Sequence, residues 1–214
     1  TFRAQECDGQ GRVLLPVRLR QIILGEDKDV DIMGAGDHLR IAVRIKCEDQ
    51  LMDFIADQEE MLSGKLASVE APSVYLAGNS SFLSTAGNAM YQSDMIRLAG
   101  GVNVAAEIED TYWVEIDYEQ LLTWNPEYII LASDATYTVE DVLADPNLAA
   151  CDAVVNGNVY QMPNKAEAWD SPVPSGILGA LWLANVLHAD LLTDDDYAAK
   201  VDEYYETFYG FTYS

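Results

Sequence analysis

The chain has 214 residues and a mass of 23.6 kDa, enough for one large domain or two small ones around a sizeable core. Half of its residues are apolar and 22% are charged, which is typical of a globular protein and excludes a disordered one. The net charge of −24 argues against a nucleic acid or an anionic membrane surface as partner, because both are bound through Lys and Arg.

Targeting and cysteine signals are weak. No apolar run approaches the roughly 20 residues of a membrane-spanning helix. The first residues lack a basic head followed by an apolar stretch, so we expect no signal segment within this chain. Three cysteines are spaced too widely for a zinc motif or a disulfide framework: Cys7, Cys47 and Cys151.

The charge is distributed unevenly about Pro72. Residues 1–71 contain 9 of the 12 basic residues and carry a net charge of −5, whereas residues 72–214 carry −19. This shift predicts a domain boundary near Pro72. So acidic a surface is typical of a highly soluble protein, and a docking face for a basic partner is the alternative.

The first part of the chain has strand patterns followed by one helix. Loose alternation predicts two short strands within residues 11–24, and a glycine turn leads into a strand that ends near Val43. Residues 48–66 are predicted to form an amphipathic helix. Its apolar stripe consists of Leu51, Ile55, Leu62 and Leu66. Pro72 prevents any continuation of this helix.

Strand and helix patterns alternate over the rest of the chain. Strands are predicted over residues 73–78, 127–133 and 157–163. Helices are predicted over residues 91–101 and 117–125, from Thr138 to near Pro146, from about Ser175, and through the C-terminal segment. A glycine- and serine-containing loop follows the first of these strands, and an acidic loop precedes residue 117. The alternation predicts a βαβ architecture with a mostly parallel sheet.

Catalytic motifs are weak. The two histidines, His38 and His188, lie far apart, and neither has a cysteine or carboxylate at metal-ligand spacing. His188 follows an apolar helix, which favours a structural role at the helix end. The serines after residue 79 lack the glycine-flanked nucleophile elbow. We therefore expect no enzymatic activity and no cofactor.

Aromatic residues stand out in loops and helix starts beside the predicted strand ends. They are Phe82, Tyr91, Tyr112, Trp113, Tyr137 and Trp169. Ligands of open parallel sheets bind outside the carboxyl ends of the strands, and aromatic faces suit a large planar or apolar ligand. For Trp113 and Trp169, core packing and ligand contact are equally open at this point.

Four motifs occur in order within about residues 73–193: YQSDMIRLAGGVNVA, WVEIDYEQLLTWNPEYIILAS, VVNGNVYQMP and AWDSPVPSGILGALWLANVLHADLL. In this order and spacing they resemble the solute-binding proteins of ABC importers for iron–siderophore complexes, haem and cobalamin. The resemblance implies an α/β fold, with a Rossmann-like C-terminal lobe over residues 72–214 and a parallel sheet flanked by helices. It also implies a linking helix over residues 48–71 and a truncated N-terminal lobe over residues 1–47. Whether the rest of that lobe is lost or lies outside this chain is open.

The resemblance implies an extracytoplasmic protein that binds an iron complex, haem or a corrinoid and delivers it to a membrane permease. Together with the aromatic loops, it predicts ligand contacts by Trp113, Trp169, Tyr91 and Phe82. Glu119 is predicted to dock on the permease, and stabilisation of its helix N-terminus explains the same residue equally well. The alternative is a shortened relative that serves as an interaction or assembly domain, in which case the protein can form an oligomer. Tyr91 is a candidate phenolate ligand for ferric iron.

Overall fold

The computed structural model describes residues 30–35, 38–108 and 112–213, with side-chain surroundings from residue 48 onward. Its strands are β1 (Val30–Ala35), β2 (His38–Val43), β3 (Ser73–Ala77), β4 (Ser84–Ala86), β5 (Val102–Asn103), β6 (Trp113–Glu115), β7 (Tyr128–Leu131) and β8 (Val159–Gln161). Its α-helices are α1 (Arg44–Leu66), α2 (Tyr91–Leu98), α3 (Tyr118–Trp124), α4 (Val139–Leu143), α5 (Asp152–Asn156), α6 (Gly176–Leu187) and α7 (Asp194–Phe208). Two short 3-10 turns lie at Val104–Glu107 and Pro146–Leu148.

The sheet confirms the predicted α/β class. Its strand order is β6-β4-β3-β7-β8, and β5 pairs with β3 outside this path. Strand β3 runs parallel to β5 and β7, and β7 runs parallel to β8. Only β4 opposes this direction, since it is antiparallel to both β3 and β6. Strands β4 and β6 lie in the segments that were predicted as loops, because three-residue strands leave too short a pattern to detect.

Two apolar cores lie on the two faces of the sheet. Along β3, Val74 and Leu76 belong to the core that α1, α2, α6 and α7 cover. Tyr75 and Ala77 belong to the core on the other face, beneath α3, α4 and α5. This alternation follows from the two-residue period of a strand. Because helices cover both faces, β3 and β7 are buried almost throughout, as is typical of central parallel strands.

Helix α1 packs against the helices of the first core. Leu62 is fully buried, and the Phe54 ring lies 5.5 Å from the Tyr204 ring and 5.9 Å from the Phe208 ring. Lys65 Nζ donates a hydrogen bond of 2.8 Å to the Leu191 carbonyl. The helix begins at Arg44 rather than at residue 48. The acidic pair at 48–49 resembled a first turn, but the preceding residues also favour a helix.

The strand predicted to end near Val43 is β2, which pairs antiparallel with β1 in a separate two-stranded sheet. The two strands predicted within residues 11–24 lie outside the described residues. From residue 73 onward, the predicted helices and strands are confirmed, most of them shorter than the pattern suggested. Helix α5, which has only five residues, was not predicted.

Helix ends follow the predicted capping residues. Asp117 Oδ1 accepts a 2.8 Å hydrogen bond from the Gln120 N–H, and Thr138 forms a reciprocal capping box with Asp141. Helix α2 ends at Leu98, and Gly100, two residues later, has a φ of +79° that favours glycine. His188 caps the C-terminus of α6, and its Nε2 lies 3.2 Å from the Gly100 carbonyl oxygen. The structural role predicted for His188 is therefore confirmed.

Candidate functional site

A cavity of about 490 Å³ opens where the parallel strands end. Residues two and three positions after β3 and β7 line it, together with the start of α2, the start of β6 and the segment before α6. Its polar and aromatic lining includes Asn79, Tyr91, Gln92, Tyr112, Trp113, Asp134 and Asp170. The carboxyl end of an open parallel sheet is the usual place for a ligand, so this cavity is the candidate site.

Asp170 holds the loop that follows β7. Its carboxylate accepts a 2.9 Å hydrogen bond from the Ser133 N–H and a second, short one from the Ser133 hydroxyl. Asn164 Nδ2 donates to the Ser133 carbonyl at 2.8 Å. Both Asp170 and Ser133 are buried, so these charge-assisted hydrogen bonds fix the loop that carries Asp134 into the cavity lining.

Trp169 lies in the first core rather than at the cavity. Its indole has no exposed surface, and its Nε1 donates to the Tyr205 hydroxyl at 3.1 Å. Its ring also packs 5.3 Å from the ring of Tyr213. Of the two roles that the sequence left open, the structure shows core packing, and the predicted ligand contact is not available to this buried side chain.

Tyr91 and Gln92 form the first turn of α2 at the cavity. The hydroxyl of Tyr91 and Oε1 of Gln92 are buried and have no hydrogen-bond partner among the described residues. Burial raises the pKa of the Tyr91 hydroxyl above its ordinary value, and the Asp170 carboxylate raises it further. Without a bound cation the neutral phenol is therefore favoured, and Tyr91 as a phenolate ligand for ferric iron stays a prediction.

Trp113 and Tyr112 form the aromatic side of the cavity. Trp113 is 42% exposed and Tyr112 is 72% exposed, so both retain surface for a ligand. Trp113 pairs with Ala86 across β6 and β4. A Cβ atom at Gly78 would lie 3.2 Å from Cζ3 of Trp113, so the absence of a side chain at Gly78 allows the indole to lie close to the end of β3. The structure thus brings Trp113 and Tyr91 to one cavity.

Phe82 packs beside this edge without lining the cavity. Its ring lies 5.8 Å from the Tyr75 ring and 6.0 Å from the Tyr137 ring, in edge-to-face contacts within the second core. The Tyr75 hydroxyl donates a 2.7 Å hydrogen bond to the Phe82 carbonyl. The Tyr137 hydroxyl donates to the Gly78 carbonyl at the same strand end. Phe82 therefore packs against the second core and is not part of the cavity lining.

Glu119 lies away from the cavity lining, in the first turn of α3, where its side chain is exposed. One backbone N–H there, that of Gln120, is already capped by Asp117. Both roles predicted for Glu119 remain compatible with this position.

No described lysine or arginine side chain from residue 48 onward lines the cavity. Each has a partner elsewhere: Lys65 with the Leu191 carbonyl, Arg97 with Asp94, Lys165 with the Tyr213 carbonyl and Lys200 with Glu203. A neighbouring groove of about 720 Å³ lies between α1, α2 and the start of α6, and Tyr91 lines both this groove and the cavity.

Within the described residues, no group of three or more His, Cys, Asp or Glu could hold a metal ion. No described helix is long and apolar enough to cross a membrane.

Sequence reasoning missed Gln92, Asp134 and Asp170. Asp134 directly follows the strongest predicted strand, a placement that marks ligand-side residues in parallel sheets. Gln92 and Asp170 give no such signal, because their role depends on contacts between distant segments.

Comparison with known proteins identifies the family to which the chain belongs. The sequence model of the family described as periplasmic binding protein matches residues 47–166. The molybdate-binding protein MolA of Haemophilus influenzae is 31% identical over 169 residues, which cover 77% of this chain and 47% of MolA. The chain therefore spans about half the length of this relative.

Solved structures show the same fold. MolA with bound molybdate superposes with a TM-score of 0.67 at 29% identity, over 78% of this chain and 51% of MolA. An ABC transporter solute-binding protein from Sulfurospirillum deleyianum gives 0.70 at 26% identity, over 79% and 54% of the two chains. CeuE of Helicobacter pylori with bound Ni(II) gives 0.69 at 21% identity, over 76% and 53%, and at that identity shows the fold alone.

Proposed function

We propose that the chain, which belongs to the periplasmic binding protein family, acts as the solute-binding component of an ABC importer. In this role it takes up a solute outside the cytoplasm and delivers it to a membrane permease. The family match and the relatives support a transport function and speak against an enzyme. The family description supports the predicted extracytoplasmic location.

The proposed division of the chain follows its packing. Residues 72–214 are the C-terminal lobe, residues 48–71 are the linking helix, and residues 1–47 belong to the N-terminal lobe. The two sheets support this division, because β1 and β2 precede α1 and pair with each other and with no other described strand. The described residues thus provide one wall of a ligand cleft, and tight capture needs a second wall.

The solute that we propose is a metal complex with a flat or apolar surface, such as a ferric siderophore, haem or a corrinoid. The observation that carries this proposal is the pair of exposed aromatic faces, Tyr112 and Trp113, beside the polar lining of the cavity. Aromatic faces offer a ligand of this kind both contact area and stacking. Molybdate is the second candidate, because MolA, the relative with 31% identity, is named for binding it.

Glu119 is the residue that we propose for permease docking. Its exposed carboxylate leaves the ligand cavity unaffected, because it does not line that space. An exposed charge of this kind contributes mainly to the orientation and rate of association with a partner of opposite charge.

A visible-range titration tests the proposed function. The purified protein is titrated with a ferric siderophore, haem and a corrinoid, and thermal unfolding is followed with and without molybdate. Saturable binding of one of these solutes, accompanied by a higher unfolding temperature, is the expected result. If none of them binds and the protein instead forms a concentration-dependent oligomer, the chain is an assembly domain.

A further inference from the structure

We infer that the cavity wall formed by this chain selects a positively charged solute over an oxyanion. The inference rests on the proposed function, since it assigns the charge of the solute that the same cavity takes. It is carried by the hydrogen-bonding groups that line the cavity and by the partners of the nearby basic residues.

The charged side chains that line the cavity are both carboxylates, Asp134 and Asp170. Asp134 contributes an exposed carboxylate, whose only described hydrogen bond is a long one of 3.3 Å from Asn164. Asp170 contributes a second carboxylate. A ligand with N–H groups or a full positive charge pairs with such a wall, whereas an oxyanion is repelled by it.

Gln92 adds an acceptor that lacks a partner. Its side chain is only 4% exposed, and its Nε2 donates to the Asp170 carbonyl at 3.2 Å. That hydrogen bond orients the amide and leaves Oε1 buried without a donor among the described residues. A buried acceptor without a donor destabilises the folded state, so a solute donor that reached Oε1 would relieve this cost.

Among the residues whose side chains are described, the start of α2 is the positive feature at the cavity. A helix N-terminus carries about half an elementary charge, which favours an anion. The exposed carboxylate of Asp134 outweighs it, and the buried carboxylate of Asp170 adds negative charge that the Ser133 donors offset in part. Asp94 in the first turn of α2 offsets it further, although Arg97 pairs with Asp94 on the exposed side. The sum of these charges is therefore negative.

The aromatic side of the cavity supports the same choice. The exposed faces of Trp113 and Tyr112 attract a cation that lies within about 6 Å of the ring centre. The solute class is thus a metal complex or organic ligand that carries an ammonium or similar cation beside a flat apolar surface.

Ferrioxamine B and its N-acetyl derivative form a matched pair of probes. They have the same iron coordination, and only the first carries a free ammonium group. We measure their dissociation constants, and that of molybdate, by calorimetry with the full chain, its Asp134→Asn variant and the exposed control Asp152→Asn. We expect ferrioxamine B to bind about tenfold tighter than its acetylated form, a difference of about 1.4 kcal/mol. Asp134→Asn should remove most of this difference and Asp152→Asn should leave it intact.

Equal binding of the two iron complexes, or tighter binding of molybdate, overturns the inference and leaves the solute-binding function standing. If no solute of the titration panel binds, the proposed function fails and the inference fails with it. Higher salt should weaken ferrioxamine B binding more than that of the acetylated form, because only the charged pair is screened.

Discussion

The Asp170 carboxylate accepts hydrogen bonds from both the backbone N–H and the hydroxyl of Ser133, the second residue after β7. Thirty-seven positions separate the two residues, and their contact joins the segment before α6 to the end of the central strand. Because Asp170 follows the buried Trp169, this contact also connects the cavity edge to the aromatic core under α7.

Replacing Asp170 with Asn should lower the stability of the lobe. Asparagine keeps the shape of the side chain but loses the charge, and its amide group turns a donor toward Ser133. Charge-assisted buried hydrogen bonds of this kind contribute about 1.5–3 kcal/mol. Urea unfolding measures the loss, with Asp190→Asn as an exposed control. Equal unfolding midpoints for the two variants would show that the Ser133 contact adds nothing.

Tyr205→Phe should destabilise the same cavity edge from the core, because the Tyr205 hydroxyl holds Trp169, the neighbour of Asp170. The Tyr205 hydroxyl accepts from Trp169 Nε1 at 3.1 Å and lies 3.2 Å from Glu167 Oε1. Its removal leaves a buried indole N–H without an acceptor, which costs about 1–3 kcal/mol. Hydrogen exchange should also quicken at Ser133 and Asp134. Tyr112→Phe, at a largely exposed tyrosine, is the control, and a matching exchange pattern in both variants would contradict the connection.

The sequence was sufficient to predict the elements with a strong local pattern. Helix α6 and strand β7 are continuous apolar runs, and the caps at Asp117 and Thr138 precede helices with acidic first turns. Strands β4 and β6 were not predictable, because three residues leave too short a local pattern and each strand depends on pairing with its neighbours.

For the site, sequence reasoning placed Tyr91 and Trp113 beside strand ends, and the structure brings both to one cavity. It could not decide the position of Trp169, since an aromatic residue before an apolar helix fits a core and a ligand site equally well. The unpartnered Oε1 of Gln92 depends on a contact with Asp170, 78 positions away, and leaves no local signal.

Alkaline pH should destabilise the protein. Burial raises the pKa of several tyrosines above their ordinary value of 10.0, namely Tyr75, Tyr91, Tyr137, Tyr197, Tyr204 and Tyr205. The unfolded chain then releases these protons at lower pH than the folded one, so stability is intact below pH 10 and falls as pH rises above it. Urea unfolding between about pH 8 and about pH 11 measures this slope. Tyr75→Phe should flatten it, and an unchanged slope would contradict the role of burial.

Glu119→Ala should leave solute affinity unchanged and weaken association with the permease, most clearly at low salt. Glu140→Ala is a matched control, because Glu140 is also the second residue of its helix, α4, and is also exposed. A helix-dipole role would lower thermal stability by similar small amounts in both variants and leave transport intact. Wild-type uptake by Glu119→Ala, measured in a transport assay, would therefore remove the docking role.

The affinity of Trp113→Ala for ferrioxamine B tests most directly whether the cavity at the strand ends is the solute site. Loss of the exposed indole should weaken binding by about 0.5–1.5 kcal/mol, roughly twofold to tenfold, without unfolding the lobe. Tyr160→Ala is the control, because Tyr160 is 36% exposed on β8 and does not line the cavity. A weaker Trp113→Ala complex beside an unchanged Tyr160→Ala complex is the predicted result, and equal affinities in wild type and Trp113→Ala would contradict this site.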